Sequence, residues 1–161
     1  MTALSAPYDA RRKDGDRTRY PVAAAKVCYK GGLAALSGGY VQPAADAASI
    51  QFAGVFAASV DNTTGAIQPG FIEPSLGSPA PGLPSGIAQG SAGAVTVQVY
   101  KEGAFVFNKA SAVQSDVGKQ ALIVDDNTVA TSGTTNAVVC GYVVELIDSS
   151  HVRVRIDRAV Q

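Results

Sequence analysis

AVTVQVYKEGAFVFN, residues 94–108, is the stretch that decides the fold. Val95, Val97 and Val99 alternate with Thr96, Gln98 and Tyr100, the two-residue period of a half-buried strand. β-branched side chains at every second position suit a pleated surface and are poor helix formers. Glu102-Gly103 then turns the chain into a second apolar run, Ala104 to Asn108.

The same grammar extends in both directions. Downstream, SDVGKQALIVDDNTVATSG (115–133) sets a short apolar strand, ALIV, between polar turns, and AVVCGYVVELID (137–148) leads to HVRVRID (151–157). In that last run Val152, Val154 and Ile156 face one way, while His151, Arg153, Arg155 and Asp157 face the other. Upstream, PVAAAKVCYK (21–30), LAAL (33–36) and YVQP (40–43) are separated by Gly31-Gly32 and Ser37-Gly38-Gly39, and SIQFAGVFAASV (49–60) follows. Paired glycines are hairpin signals because glycine takes positive φ without steric cost. One short segment, PAADAAS (43–49), offers the composition of a helix. The expectation is therefore an all-β chain, a small barrel or sandwich of roughly seven to ten strands.

Two segments stand apart from the β pattern. Eight of the eleven residues from Asp9 to Arg19 are charged, which marks residues 1–19 as a solvated, extended N-terminal arm. Its basic residues Arg11, Arg12, Lys13, Arg17 and Arg19 outnumber Asp9, Asp14 and Asp16 by two. Residues 65–93 carry five of the eight prolines and one charge, Glu73, a composition that sustains neither helix nor interior strand. Phe71, Ile72, Leu76, Leu83 and Ile87 make this Pro/Gly-rich stretch a candidate contact loop for a sister subunit or another protein. Residues 20–161 otherwise read as a single β-rich domain.

Composition narrows the function. Hydrophobic residues reach 47%, enough for a core, while charged residues stop at 16%, against roughly a quarter in an average soluble domain. A surface so short of charge is expected to be partly covered by partner protein. Zero net charge argues against a nucleic-acid binder, whose affinity comes from neutralising phosphates. No uninterrupted apolar run reaches the length of a membrane-spanning helix, and Met1 to Ser5 lacks the basic start of a leader, so no membrane partner is expected. Cys28 and Cys140 read as buried free thiols, with a single disulfide as the alternative.

Catalytic equipment is thin. His151 is the only histidine and sits on a polar strand face, where a surface role is the expected one. Asp125-Asp126-Asn127 lacks the ligand spacing of a calcium loop and reads as a tight turn. No enzyme activity, cofactor or metal is expected.

The chain resembles the small capsid decoration, or cement, proteins of tailed bacteriophages, including Mu-like ones. RRKDGDRTRYPVAAA (11–25), KVCYKGGLAALSGGYVQPA (26–44) and IQFAGVFAASVDNT (50–63) are similar to the family's arm and first strands. VTVQVYKEGAFVFNKAS (95–111), SDVGKQALIVDDNTVATS (115–132) and GYVVELIDSSHVRVRID (141–157) are similar to its central strand pair, later turn-strand-turn and closing hairpin. Stretch 65–93 departs from the family pattern.

The resemblance implies a homotrimer on the outer surface of a virion capsid, assembled in a bacterial cytoplasm, with the major capsid protein as partner. Arg11, Arg12, Lys13, Asp14, Arg17 and Arg19 would then contact the capsid, the arginines through forked hydrogen bonds to carboxylates. The rival expectation is a receptor- or glycan-binding β domain on a virion surface, using Tyr40, Tyr100 or Tyr142. A small β enzyme or nucleic-acid-binding barrel is the third.

Overall fold

Strands dominate the described residues, 16–63, 77–79 and 90–157, of a computed structural model. In chain order they are β1 (Arg17–Pro21), β2 (Lys26–Cys28), β3 (Leu33–Ser37), β4 (Tyr40–Pro43), β5 (Gln51–Phe56), β6 (Val60–Asn62) and β7 (Gly77–Pro79). They continue as β8 (Val95–Tyr100), β9 (Gly103–Asn108), β10 (Gln120–Ile123), β11 (Val129–Ala130), β12 (Val139–Asp148) and β13 (His151–Ile156). One 3-10 turn, Gln114–Asp116, is the sole helical element among them. The all-β expectation holds, with more and shorter strands than the sequence suggested. Pro43–Ser49 is no helix; it is a turn in which Ser49 takes a φ of 62°.

The first sheet runs β1-β8-β5-β3-β4, with β7 also against β8, and the second runs β11-β10-β12-β13-β9. β2 and β6 form a small sheet of their own. Each large sheet curls until its ends meet: Val22 forms a parallel bridge to Val41, and Asn108 a parallel bridge to Thr128. Two half-barrels result.

The two have one topology. If the five strands on each path are counted in chain order, both run first, fifth, fourth, second, third. The register agrees in detail. Ala34 faces Gly54 and Ala35 faces Phe52 across a bulge, as Ala121 faces Gly141 and Leu122 faces Val139 across another. Gly31 N–H donates to Phe56 O at 2.8 Å and Phe56 N–H to Gly32 O at 2.9 Å. Gly118 N–H donates to Val143 O at 2.8 Å and Val143 N–H to Lys119 O at 3.0 Å in the same arrangement. The interiors correspond position by position. Ala34, Val41, Ala53, Phe56, Val97 and Val99 line the first, and Ala121, Val129, Cys140, Val143, Val152 and Val154 line the second.

Local chemistry explains the turns that shape these units. Gly38 and Gly39, at φ of 57° and 85°, close the β3–β4 hairpin as a two-residue turn that needs positive φ at both positions. Gly31-Gly32, by contrast, closes no hairpin. β2 pairs with β6, and the glycines carry the chain from the small sheet into β3. The Glu102-Gly103 turn likewise folds no hairpin, because β9 leaves the first sheet and pairs with β13. Gly103, at φ 134°, makes that corner.

Outside the interiors, Leu33, Ala35, Phe52 and Val55 on the outer face of β3 and β5 join the core of the second half-barrel. β5 is thus buried on both faces, which is why SIQFAGVFAASV reads as a nearly continuous apolar run. The joint is held by Leu33 N–H to Asp126 O at 2.6 Å and Asp46 N–H to Val124 O at 3.1 Å. The Asp46 carboxylate accepts from Thr135 N–H at 2.6 Å and Asn136 N–H at 2.8 Å, and these bonds hold its carboxyl below its ordinary range.

A Cβ on Gly54, which has φ 133°, would overlap the Tyr100 carbonyl oxygen, and a Cβ on Gly141 would overlap that of Arg155. Gly54→Ala and Gly141→Ala are each expected to lower stability by about 3 kcal/mol, read from urea unfolding midpoints. An alanine tolerated at either site would mean that the strand crossing is looser than described.

Candidate interaction surface

Because Val152, Val154 and Ile156 point into the second half-barrel, His151, Arg153 and Arg155 point out. The register places Tyr142 beside Arg155, Glu145 beside Arg153 and Asp148 beside His151 on one flank. Ala104, Val106 and Asn108 of β9 lie on the other. Two bulges in β12, between Val143 and Glu145 and between Leu146 and Asp148, add Val144 and Ile147 to the surface. Tyr142 is 38% exposed, Val144 40%, Ile147 42% and Val106 48%.

The charged side chains on this face are engaged in pairs. Arg153 is paired with Glu145, Arg155 lies 3.6 Å from Asp157, and His151 Nδ1 lies 2.9 Å from Asp148. Ser150 N–H, at 2.7 Å, and His151 together push the Asp148 carboxyl down to about 2. Such exposed pairs add little stability. Their effect is to leave a patch in which exposed Val106, Tyr142, Val144 and Ile147 lie among paired charged side chains.

Of the arm residues singled out in the sequence, Arg17 and Arg19 lie on β1, where the backbone pairs with Tyr100 and Gln98 of β8. Their side chains are exposed, and the Arg17 guanidinium sits 5.4 Å from the Tyr100 ring centre. The strand therefore begins inside the segment expected to be arm. Lys101, just beyond the end of β8, donates from Nζ to Tyr20 Oη at 3.0 Å and to Ala53 O at 2.9 Å. Arg11, Arg12, Lys13 and Asp14 lie outside the described residues, as do Phe71, Ile72, Leu76, Leu83 and Ile87. Tyr40, Tyr100 and Tyr142 are not brought together: Tyr40 and Tyr142 belong to different sheets, and Tyr100 packs on Phe105 with ring centres 5.8 Å apart.

One charged cluster escaped sequence reasoning. The buried Asp116 carboxylate lies 2.8 Å from Lys109 Nζ and 3.1 Å from Lys119 Nζ, and accepts from Val113 N–H at 3.1 Å and Thr131 Oγ1 at 3.2 Å. The Lys109 hydrogen bond, more than any other contact, holds its carboxyl well below the usual range. A carboxylate saturated in this way is a poor base and a closed metal ligand, so the cluster ties loops together. It borders an open groove of about 330 Å³ lined by Lys109, Val124, Thr128, Val129 and Thr131. Nothing in the spacing of Lys109 and Asp116 announced the pair, since both lie outside strands.

Other candidates resolve simply. Asn127 N–H bonds Asp125 Oδ1 at 2.9 Å, so Asp125-Asp126-Asn127 is a side-chain-stabilised turn. Cys28 and Cys140 are free and buried, and desolvation pushes both thiols up to about 12. Among the described residues no group of three or more ligating side chains gathers, and no helix is long and apolar enough to cross a membrane. No protein-family model matches the chain, and no curated protein or solved structure shows significant similarity to it.

Asp116→Asn leaves Lys109 buried without its counter-charge and is expected to cost about 3 kcal/mol at pH 7. Since the folded carboxyl titrates below its ordinary 3.8, this stabilisation is complete above about pH 4 and fades as pH falls further. Urea unfolding of both proteins from pH 7 down to pH 2.5 should show the gap narrowing. A constant gap would assign the loss to packing alone. Both thiols should resist a thiol-specific reagent in the native protein and react on unfolding; rapid native labelling would contradict their burial.

Proposed function

We propose that the protein is a structural virion component that docks as a homotrimer on the outer face of a tailed-phage capsid and cements neighbouring major capsid subunits. The observation that carries this reading is the face of β9, β12 and β13, where charged groups are paired and apolar ones exposed. There Arg153 and His151 are paired off while Val106, Val144 and Ile147 stay exposed. Such a face suits a protein partner better than a polyanion or a small charged substrate. The resemblance of the sequence to capsid decoration proteins supplies the kind of partner.

The chain leads from the charged run directly into β1, an outer strand of its sheet. In this reading the charged run reaches a neighbour, by arginine–carboxylate bonds or by adding a strand to an exposed edge. Each contact is weak. Three bodies and three arms acting together raise the occupancy far above that of one.

The test is sedimentation with expanded, undecorated phage heads. Full-length protein should co-sediment. Deletion of residues 1–15 should weaken binding by about tenfold or more, and the double substitution Val106→Asp, Val144→Asp should do the same. Full-length protein that leaves such heads bare, or truncated and substituted proteins that bind undiminished, would overturn the reading.

A further inference from the structure

We infer that the groove beside Lys109 takes a short, extended peptide segment that carries a carboxylate side chain. The inference goes beyond the capsid reading and does not depend on it. The curl of the second sheet creates the groove. β11 is the outermost strand of its path and, among the strands, pairs with β10 alone. A single bridge, Asn108 to Thr128, closes it against the end of β9. Past that bridge, Lys109 and Ala110 after β9, and Val129 to Ser132 along and after β11, line an open space of about 330 Å³ together with Val124.

Lys109 supplies the charge. Its side chain is only 9% exposed, and its Nζ lies 2.8 Å from Asp116 Oδ2 and donates to Ala110 O at 3.3 Å. An ammonium group has three N–H donors, and among the described residues the third has no partner. Lys119 Nζ, on a half-exposed side chain, lies 3.1 Å from the other Asp116 oxygen. Two ammonium groups thus share one carboxylate, and the cluster keeps an excess of one positive charge. A ligand carboxylate matches both the excess charge and the spare donor.

The rest of the lining favours a peptide over a free anion. Among the described residues the N–H groups of Thr131 and Ser132 make no backbone hydrogen bond. They are placed to donate to main-chain carbonyls, as the edge of a sheet does for an added strand. Ala110, Val124, Val129 and Ala130 add apolar lining against which an aliphatic side chain next to the carboxylate packs. The space stands at the small end of ligand sites, which suits a few residues of extended chain and not a folded surface.

Heteronuclear NMR of the uniformly labelled full-length chain tests the inference, with the blocked pentapeptide acetyl-AVEVA-amide as probe. The peptide should shift the amide resonances of Lys109, Ala110 and Thr128 to Ser132 saturably. Its counterpart with glutamine in place of the glutamate should bind about fivefold or more weakly, because a charge-assisted bond is then lost. Glutarate, which has the carboxylate without the amide backbone, should bind about tenfold or more weakly than the peptide. Lys119→Gln should weaken the peptide about threefold while leaving the circular dichroism unchanged. Comparison of the three probes uses the unaltered protein, so it stands even if the variant fails to fold. Absence of shifts at these amides, or a glutamine peptide that binds as tightly, would overturn the inference. Glutarate bound as tightly as the peptide would overturn it too, in favour of a simple anion site. None of these outcomes bears on binding to phage heads, so this inference and the capsid reading fail separately.

Discussion

At Gly54 the fourth strand of the first half-barrel passes so close to β8 that a Cβ would occupy the position of the Tyr100 carbonyl oxygen. Gly141 stands in the same relation to Arg155 in the second. A bulge in β5 and another in β12 accompany these crossings, each giving its strand the extra bend that lets a short sheet curl on itself. The rest depends on that curl. Without it the Val22–Val41 and Asn108–Thr128 bridges could not form, and small interior residues such as Ala34, Ala53, Ala121 and Cys140 would leave voids instead of filling a narrow space.

Once two such units are made, the way they join determines the surface. The first unit gives up its outer face to the second, so β5 is apolar on both sides while β13 alternates strictly. The free faces are left with few charges, and those of the β9-β12-β13 face are largely paired. Burial and neutralisation act together here. They leave the β9-β12-β13 face presenting Val106, Tyr142, Val144 and Ile147 to solvent.

Much of this was legible in the residues. The period-two alternation at Val95–Tyr100 and at His151–Ile156 identified half-buried strands, and their valines do line the two interiors. The Ser37-Gly38-Gly39-Tyr40 signal marked a real hairpin, since two adjacent positive φ values can be met cheaply only by glycine. The same signal failed at Gly31-Gly32, because a turn residue fixes a local bend and says nothing about which strand lies beside the next one. Arg17 and Arg19 looked like arm because their charges exclude them from a core. An outer strand can carry such charges while its backbone is paired to β8.

The repeat shows the division most clearly. Several interior positions keep the same residue, as Ala34 and Ala121, Gly54 and Gly141 or Val97 and Val152 do, while outer positions diverge, as Leu33 against Gln120 and Val55 against Tyr142 do. Identities scattered in this way announced no repeat in the sequence. Alternation, β-branching and glycine turns are local properties of covalent structure and hydration, and by themselves they determined that this chain is all-β and where several of its strands run. Strand partners, the Lys109–Asp116 pair and the choice of which outer face is buried join residues far apart or in irregular segments. Those were decided only when packing brought the two half-barrels together, because the energy of each such contact exists only in the assembled geometry.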